Sequence, residues 1–254
     1  MTKEYNIIGD IAGNYETMVS LLSKMPDAVP VSVGDMIDRG PHSKIVLDYF
    51  MEKGIAILGN HEHIMLDELD FMRSMRDGVS YHKYYQPGLW HTYWPDNRGG
   101  MRSNGGLATI KSFGNLKVEK GNMVASEDIL DLIPQKYIEW IRNLPLYIQE
   151  DGLFISHAAK RPDWTLERCC QLGDSIWKPS GKYKDMESSL IWNRGSPRRQ
   201  KGIFQVHGHM AGKTYWNWKD RDGQFGINLD SSKGRTMTGL HWPSMTVYEQ
   251  NIID

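Results

Sequence analysis

Cysteine is almost missing from this chain: among 254 residues only Cys169 and Cys170 occur, side by side. Consecutive Cα atoms stand about 3.8 Å apart, closer than a relaxed disulfide prefers. The pair therefore reads as two reduced thiols, the usage of a cytoplasmic protein. Two cysteines are also too few for a cysteine-based zinc site. Long apolar runs are absent as well, and none approaches the ~20 residues of a membrane-spanning helix. The opening Met1-Thr2-Lys3-Glu4-Tyr5 runs straight into an apolar strand without the layout of a secretion signal. A cytoplasmic location without a membrane partner is expected. An excess of one charge is lacking too. Lys+Arg is 30 against Asp+Glu 31, a net charge of -1. That excludes the global basic footprint of a protein built on extended nucleic acid, though not a local basic patch. No low-complexity tract or repeat of 20–50 residues interrupts the chain.

What is present begins with a rhythm. Tyr5-Asn6-Ile7-Ile8 ends in Gly9-Asp10, Val29-Pro30-Val31-Ser32-Val33 ends in Gly34-Asp35, and Ile55-Ala56-Ile57-Leu58 ends in Gly59-Asn60. The polar ends fall at 10, 35 and 60, evenly spaced. Between them lie helix-like stretches, Tyr15 to Met25 and His42 to Lys53. The first places Met18, Leu21, Leu22 and Met25 on one face. Strand, loop and helix at this period predict a βαβαβ unit with a parallel sheet. Ligands of such sheets bind outside the carboxyl ends of the strands, so Asp10, Asp35 and Asn60 should meet in one crevice.

Residues 76–106 break the rhythm with Tyr81, Tyr84, Tyr85, Trp90, Tyr93 and Trp94. They read as an aromatic insertion, either a hydrophobic lid or a surface that stacks a base. Residues 126–142 read as one helix. A second strand series follows at Leu153 to Ser156, Ile203 to Val206, Gly226 to Leu229 and Met245 to Tyr248, and Trp216 and Trp218 alternate onto one face of another. The expected fold is α/β, a two-layer β-sandwich flanked by helices. No linker divides it, so residues 1–254 read as a single domain.

The strand ends carry chemistry. Asp10, Asp35 and Asn60 offer hard oxygen ligands, and two later strand ends deliver Ser156-His157 and His207-Gly208-His209. Carboxylates with imidazoles suit Mn, Fe or Zn better than calcium. With a shared carboxylate, two such ions sit about 3.5–4 Å apart, the arrangement used for in-line displacement at phosphorus.

Gly34-Asp35-Met36-Ile37-Asp38-Arg39-Gly40 followed by Gly59-Asn60-His61-Glu62 resembles the calcineurin-like metallophosphoesterases. Within them it is similar to the phosphoprotein-phosphatase branch, which includes small bacterial and bacteriophage Ser/Thr phosphatases and symmetrical diadenosine tetraphosphatases. Asn104-Gly105-Gly106 with Ala108-Thr109, Ser156-His157-Ala158, Ile191-Trp192-Asn193-Arg194 and Gly208-His209 extend the resemblance from about Asn6 to Asp230. It implies a four-layer α/β/β/α fold and two divalent metal ions, manganese first, iron or zinc otherwise. Asp10 would bind the first metal, Asp35 would bridge both, and Asn60, His157 and His209 would complete the second. A metal-bridging hydroxide would attack phosphorus. His61 would be the general acid, with Asp38 holding its ring, and Arg39 and Arg194 would clamp phosphate oxygens. The implied function is hydrolysis of phosphate esters. Phosphoserine or phosphothreonine in a phosphorylated protein, with some phosphotyrosine, is the first substrate expected. A dinucleoside polyphosphate or a similar small nucleotide is the alternative.

One position departs from the resemblance. The first motif of these proteins reads Gly-Asp-x-His-Gly, and here it is Gly9-Asp10-Ile11-Ala12-Gly13. A methyl group coordinates nothing, so the first metal site should be weakened. Loss at one position alone, and to alanine, is the pattern of a deliberate substitution; a decaying lineage would lose several motif residues. A natural loss, giving a one-metal enzyme or a non-catalytic phosphate-binding protein, is the remaining reading. His207 reads as supporting the site or as ordinary polar packing. His63, His82 and His91 read as surface residues. Asp163, Lys213 and Asp230 receive no role.

Overall fold

The computed structural model describes residues 3–78, 105–114, 118–119, 122–123, 129–161, 164–165, 168 and 190–253. Most of the 76–106 insertion lies outside these residues, as do Cys169, Cys170, Asn104, Asp163, His82 and His91.

The 25-residue rhythm is a βαβαβ unit. Strand β1 (Tyr5–Ile8) pairs in parallel with β2 (Val29–Ser32), and β2 with β3 (Ile55–Ala56). Helices α1 (Tyr15–Leu22) and α2 (Ser43–Lys53) make the crossovers, and α3 (Asn60–Arg76) follows β3. Helix α4 (Gly106–Phe113) packs on α2, and a two-stranded ribbon, β4 (Val118–Glu119) with β5 (Asn122–Met123), comes next. The expected helix over 126–142 is two helices, α5 (Ile129–Leu132) and α6 (Gln135–Arg142). Pro134 disfavours a helical conformation in the residue before it, which separates them. Their apolar periodicity survives the break, since Leu130, Ile133, Tyr137, Ile138 and Ile141 all enter the core.

The second half supplies β6 (Tyr147–Glu150), β7 (Leu153–Ser156), β8 (Phe204–His207), β9 (Trp216–Asp220), β10 (Gly223–Asn228), β11 (Thr236–Trp242) and β12 (Thr246–Asn251). One sheet runs β12-β11-β1-β2-β3 and the other β6-β7-β8-β10-β9. Strands β7, β8 and β10 are parallel neighbours, so their carboxyl ends share one edge.

Alternation along β1 divides the core. Ile7 enters the layer between the sheets, with Val31, Ile57, Ile155, Val206 and Ile227. Ile8 faces the helices, with Met18, Leu21, Val46, Leu47 and Phe50. On the outer face of the second sheet Phe154 packs with Trp164 and Leu190. A two-layer sandwich with helices on it is therefore what the strand pattern builds. Among the described residues no helix is long and apolar enough to cross a membrane.

Candidate active site

The parallel strands end at one edge, and the loops beyond them are bent sharply. Asp35 (φ 50°), Asp38 (φ 76°), Arg39 (φ 62°) and His209 (φ 67°) all occupy the left-handed region. Such conformations cost about 1–3 kcal/mol each and cluster where surrounding structure enforces them. The loops also press together. A Cβ on Gly34 (φ 93°) would come within 2.6 Å of the Gly59 backbone, so neither turn has room for a side chain there.

A single carboxylate holds these two turns. Glu62, fully buried in the first turn of α3, accepts backbone N–H bonds from Asp35 (2.9 Å), Met36 (2.7 Å), Ile37 (3.2 Å) and Gly59 (3.1 Å). The β2 and β3 loops are thereby fixed to each other.

Asp10, Asp35 and His157 present ligand atoms that all lie within 4.8 Å of one another. His157 is fully buried, and its Nδ1–H donates to the Val33 carbonyl at 2.9 Å. Burial, the largest influence, pulls its pKa below the ordinary imidazole value, so the ring is neutral and its Nε2 carries a bare lone pair. That nitrogen faces Asn60 Oδ1 at 2.9 Å and Asp35 Oδ1 at 3.3 Å. Asn60 Oδ1 also lies 2.8 Å from His209 Nδ1. Burial, then the neighbouring His157, drives His209 down to about 3, so it too is a neutral donor. The bare His157 Nε2 facing an amide oxygen fits a cation between them, and the mixture of oxygen and imidazole nitrogen fits a divalent transition metal. On the other side Asp10 is pushed well above the ordinary carboxylate range by burial and by the charges of Asp230 and Asp35. Two carboxylates, Asp35 buried and Asp10 half-buried, repelling each other also fit a positive ion between them.

Ala12 offers that side nothing. It lies in a left-handed turn (φ 48°), and its carbonyl accepts the Gly40 N–H. The Asp10 side thus keeps two carboxylates of the expected set, Asp10 and Asp35. The other side keeps all four residues of the expected set, Asp35, Asn60, His157 and His209.

Beside this cluster stands His61. Its Nδ1–H donates to Asp38 Oδ2 at 2.5 Å, and its Nε2 lies 3.7 Å from Asp35 Oδ2. Burial pulls the ring down, but the Asp35 charge and then the Asp38 hydrogen bond and charge outweigh it and hold it up at about 9. Arg39 Nη2 stands 3.2 Å from the same Nε2. When the ring is protonated both groups are donors aimed at one spot, which an anion between them would satisfy. Asp38 is itself held by α4, since the Thr109 hydroxyl donates to Oδ1 at 2.6 Å. Its side chain does not cap α2, which begins at Ser43, two residues after Pro41.

Every site residue expected from the sequence except Arg194 is gathered in this knot of contacts. Arg194 is exposed on the adjoining loop, near enough that its charge adds to the lowering of the His209 pKa, and there Asn193 donates to the Ala159 carbonyl (2.7 Å) and accepts the Gly195 N–H (3.0 Å). The Ser156 hydroxyl donates to the Ala158 carbonyl at 2.7 Å, an anchoring role. His63 is not on the surface. It is 1% exposed and meets Trp192 edge-to-face at 6.5 Å, because α3 turns it inward beneath the site. The clamping role of Glu62 and the support from Thr109 were not legible in advance. For Glu62 the signal was its place in the first turn after the Gly59 loop.

The sequence pattern described as calcineurin-like phosphoesterase matches residues 5–225. A symmetrical bis(5'-nucleosyl)-tetraphosphatase from Shewanella sediminis is 26% identical over 180 residues, 66% of this chain and 49% of that protein. One from Chromobacterium violaceum is 23% identical over 237 residues, 87% of this chain and 68% of that protein. The chain thus matches only about half the length of the first of these relatives. Among solved structures, one provisionally described as a diadenosine tetraphosphatase superposes with a TM-score of 0.56 at 18% identity, over 98% of this chain and 93% of that one. A cold-active protein-tyrosine phosphatase from a psychrophilic Shewanella does so at 0.52 and 15%, over 94% of this chain and 76% of that one. At these identities the likeness is one of fold.

Proposed function

This chain belongs to the calcineurin-like phosphoesterase family, and we propose that it hydrolyses phosphate esters with divalent metal ions held by Asp10, Asp35, Asn60, His157 and His209. The observation that carries this reading is the approach of His157 Nε2 to Asn60 Oδ1 at 2.9 Å, acceptor to acceptor, at the centre of the buried cluster. Divalent ions bound there would neutralise phosphate charge and acidify a water at neutral pH. Manganese is the first candidate, with iron or zinc next.

The chain's own residues supply the rest. His61 holds a proton at Nε2 for the leaving oxygen. Asp38 fixes the ring through Nδ1 and keeps it charged. Arg39 orients a phosphate oxygen at the same spot, and Arg194 closes on the substrate from its exposed loop. Donors set in advance around the developing charge are worth more here than in water, because the site is buried. Ala12 leaves the Asp10 side short of a ligand, so this chain is a weakened form of such an enzyme. Residues 1–254 act as one domain with an insertion at about 76–106. In support, β11 near the end of the chain pairs with β1 at its start.

The substrate proposed first is a phosphorylated serine or threonine of a protein. A dinucleoside polyphosphate is the second reading, favoured by the activity for which the relatives from Shewanella sediminis and Chromobacterium violaceum are named. Product analysis with manganese separates them: a panel of phosphopeptides against diadenosine tetraphosphate, with an aryl phosphate as reference. Phosphate released mainly from the peptides supports the first reading, and nucleoside diphosphates supports the second. Phosphate binding without turnover of any substrate, in the Ala12→His form as well, would overturn both in favour of a non-catalytic phosphate-binding protein.

A further inference from the structure

Two residues beyond the expected set form a hydrogen-bonded line into the site. Strand β8 ends at His207, so His209 lies past the strand and alternation does not relate the two. Across the sheet, Gly226 of β10 stands in register with Gln205 on one side and Trp218 on the other. Without a side chain at 226, the Trp218 indole reaches the His207 ring. The rings lie edge to edge, their centroids 6.0 Å apart and their planes 26° apart, and Trp218 Nε1–H donates to His207 Nε2 at 2.7 Å.

An indole N–H only donates. His207 Nε2 must therefore be bare, and the ring proton sits on Nδ1. From there it donates to the Gly208 carbonyl at 3.0 Å. The same peptide group carries the His209 N–H at its other end, and this donates to Asp10 Oδ1 at 3.1 Å. It is the only hydrogen bond that the Asp10 side chain makes among the described residues. The line is indole, imidazole, peptide, carboxylate. A hydrogen bond to a peptide oxygen strengthens the donor at its other end. Gly208 has no room for a side chain, because a Cβ there would run into Asp10 Oδ1.

We propose that Trp218 and His207 are positioning residues that fix the Gly208–His209 peptide and, through it, aim the Asp10 carboxylate and the His209 ring at the cation. The consequence for cation binding rests on the function proposed above; the line of hydrogen bonds does not. With Ala12 supplying no ligand beside Asp10, the orientation of Asp10 depends on this peptide.

The test uses the full chain. In the metal-free protein, nitrogen NMR should find His207 as the Nδ1–H tautomer. Trp218→Phe keeps the packing and removes the donor. It should shift the His209 amide proton and weaken Mn2+ binding by about tenfold, the low end for ligand-supporting groups. His207→Asn, whose amide can still reach the Gly208 carbonyl, should recover affinity that His207→Phe loses. An Nε2–H tautomer overturns the proposal, and so does unchanged Mn2+ affinity in Trp218→Phe. If that variant does not fold, equal affinities of His207→Asn and His207→Phe overturn it. If the unaltered protein binds no Mn2+, the proposed function fails, and the tautomer and the His209 amide shift decide the positioning pair alone.

Discussion

Nε2 of His157 points at Oδ1 of Asn60 from 2.9 Å, and the Val33 carbonyl already takes the ring's one neutral-state proton. Two lone pairs facing each other in a buried place destabilise the metal-free fold unless something positive comes between them. Removing divalent ions should therefore lower stability. At a hundred times the dissociation constant a bound ion contributes about 2.7 kcal/mol. For a chain of this size that corresponds to a melting temperature about 5–10 °C higher with Mn2+ than with a chelator. Equal melting curves would contradict the reading.

His61 should set the alkaline side of the activity profile. Its proton is held by Asp35 and Asp38 at about 9 in the metal-free protein. Asp38→Asn keeps the shape and removes a charge, so the ring should lose its proton at lower pH. The descending limb should move to lower pH with KM little changed, and kcat should fall. His61→Asn should lose about 10²–10⁴-fold in kcat, the range for a positioned general acid. Initial rates across pH 5–10 measure both.

The same shift has a stability sign. A ring whose folded pKa lies above its unfolded ~6.5 stabilises fully below that value and loses the contribution as pH rises through about 9. The metal-free protein should thus lose a share of its stability between these limits. Asp38→Asn should lose less over the same interval. Denaturant titrations at pH 6 and pH 10 on both proteins read the difference.

Ala12→His should strengthen the site. The left-handed turn at φ 48° tolerates histidine better than bulkier branched residues. The expected result is one further Mn2+ per chain by elemental analysis. Aryl phosphate hydrolysis should rise by about a hundredfold, about 3 kcal/mol of added stabilisation in the transition state. No gain in either metal content or rate would count against Ala12 as a lost ligand.

Glu62→Gln should destabilise the chain without touching substrate. An amide presents N–H groups where four backbone donors converge. Leaving buried donors unpaired costs about 1–3 kcal/mol. Denaturant unfolding of the metal-free protein should show a loss in this range, with weaker metal binding as a consequence. Unchanged stability would remove Glu62 from the account of how the two loops are held.

The strand ends were legible because their pattern is local: an apolar run, a glycine, then Asp10, Asp35 or Asn60. Asp38, three residues after Asp35, and His61, next to Asn60, came only from the resemblance of their motifs. Thr109 could not, because its bond to Asp38 spans 71 positions and depends on where α4 is packed. His63 looked like a surface residue because nothing in its local sequence shows that Trp192 covers it. Strand β11 escaped because it is buried nearly throughout and holds Gly239, so its pattern does not alternate. Strand β6 escaped because it is a half-exposed edge. The line from Trp218 to Asp10 needed three strands in register before it existed at all.

The central claim is that Asp10, Asp35, Asn60, His157 and His209 form one centre for divalent cations. Titration of the metal-free chain with Mn2+, followed by the paramagnetic resonance signal of the free ion, tests it most directly when run beside Asn60→Ala. The expected result is at least one Mn2+ taken up per chain, with uptake lost or weakened about a hundredfold in the variant. Equal uptake by both proteins, or none by the unaltered chain, would contradict it.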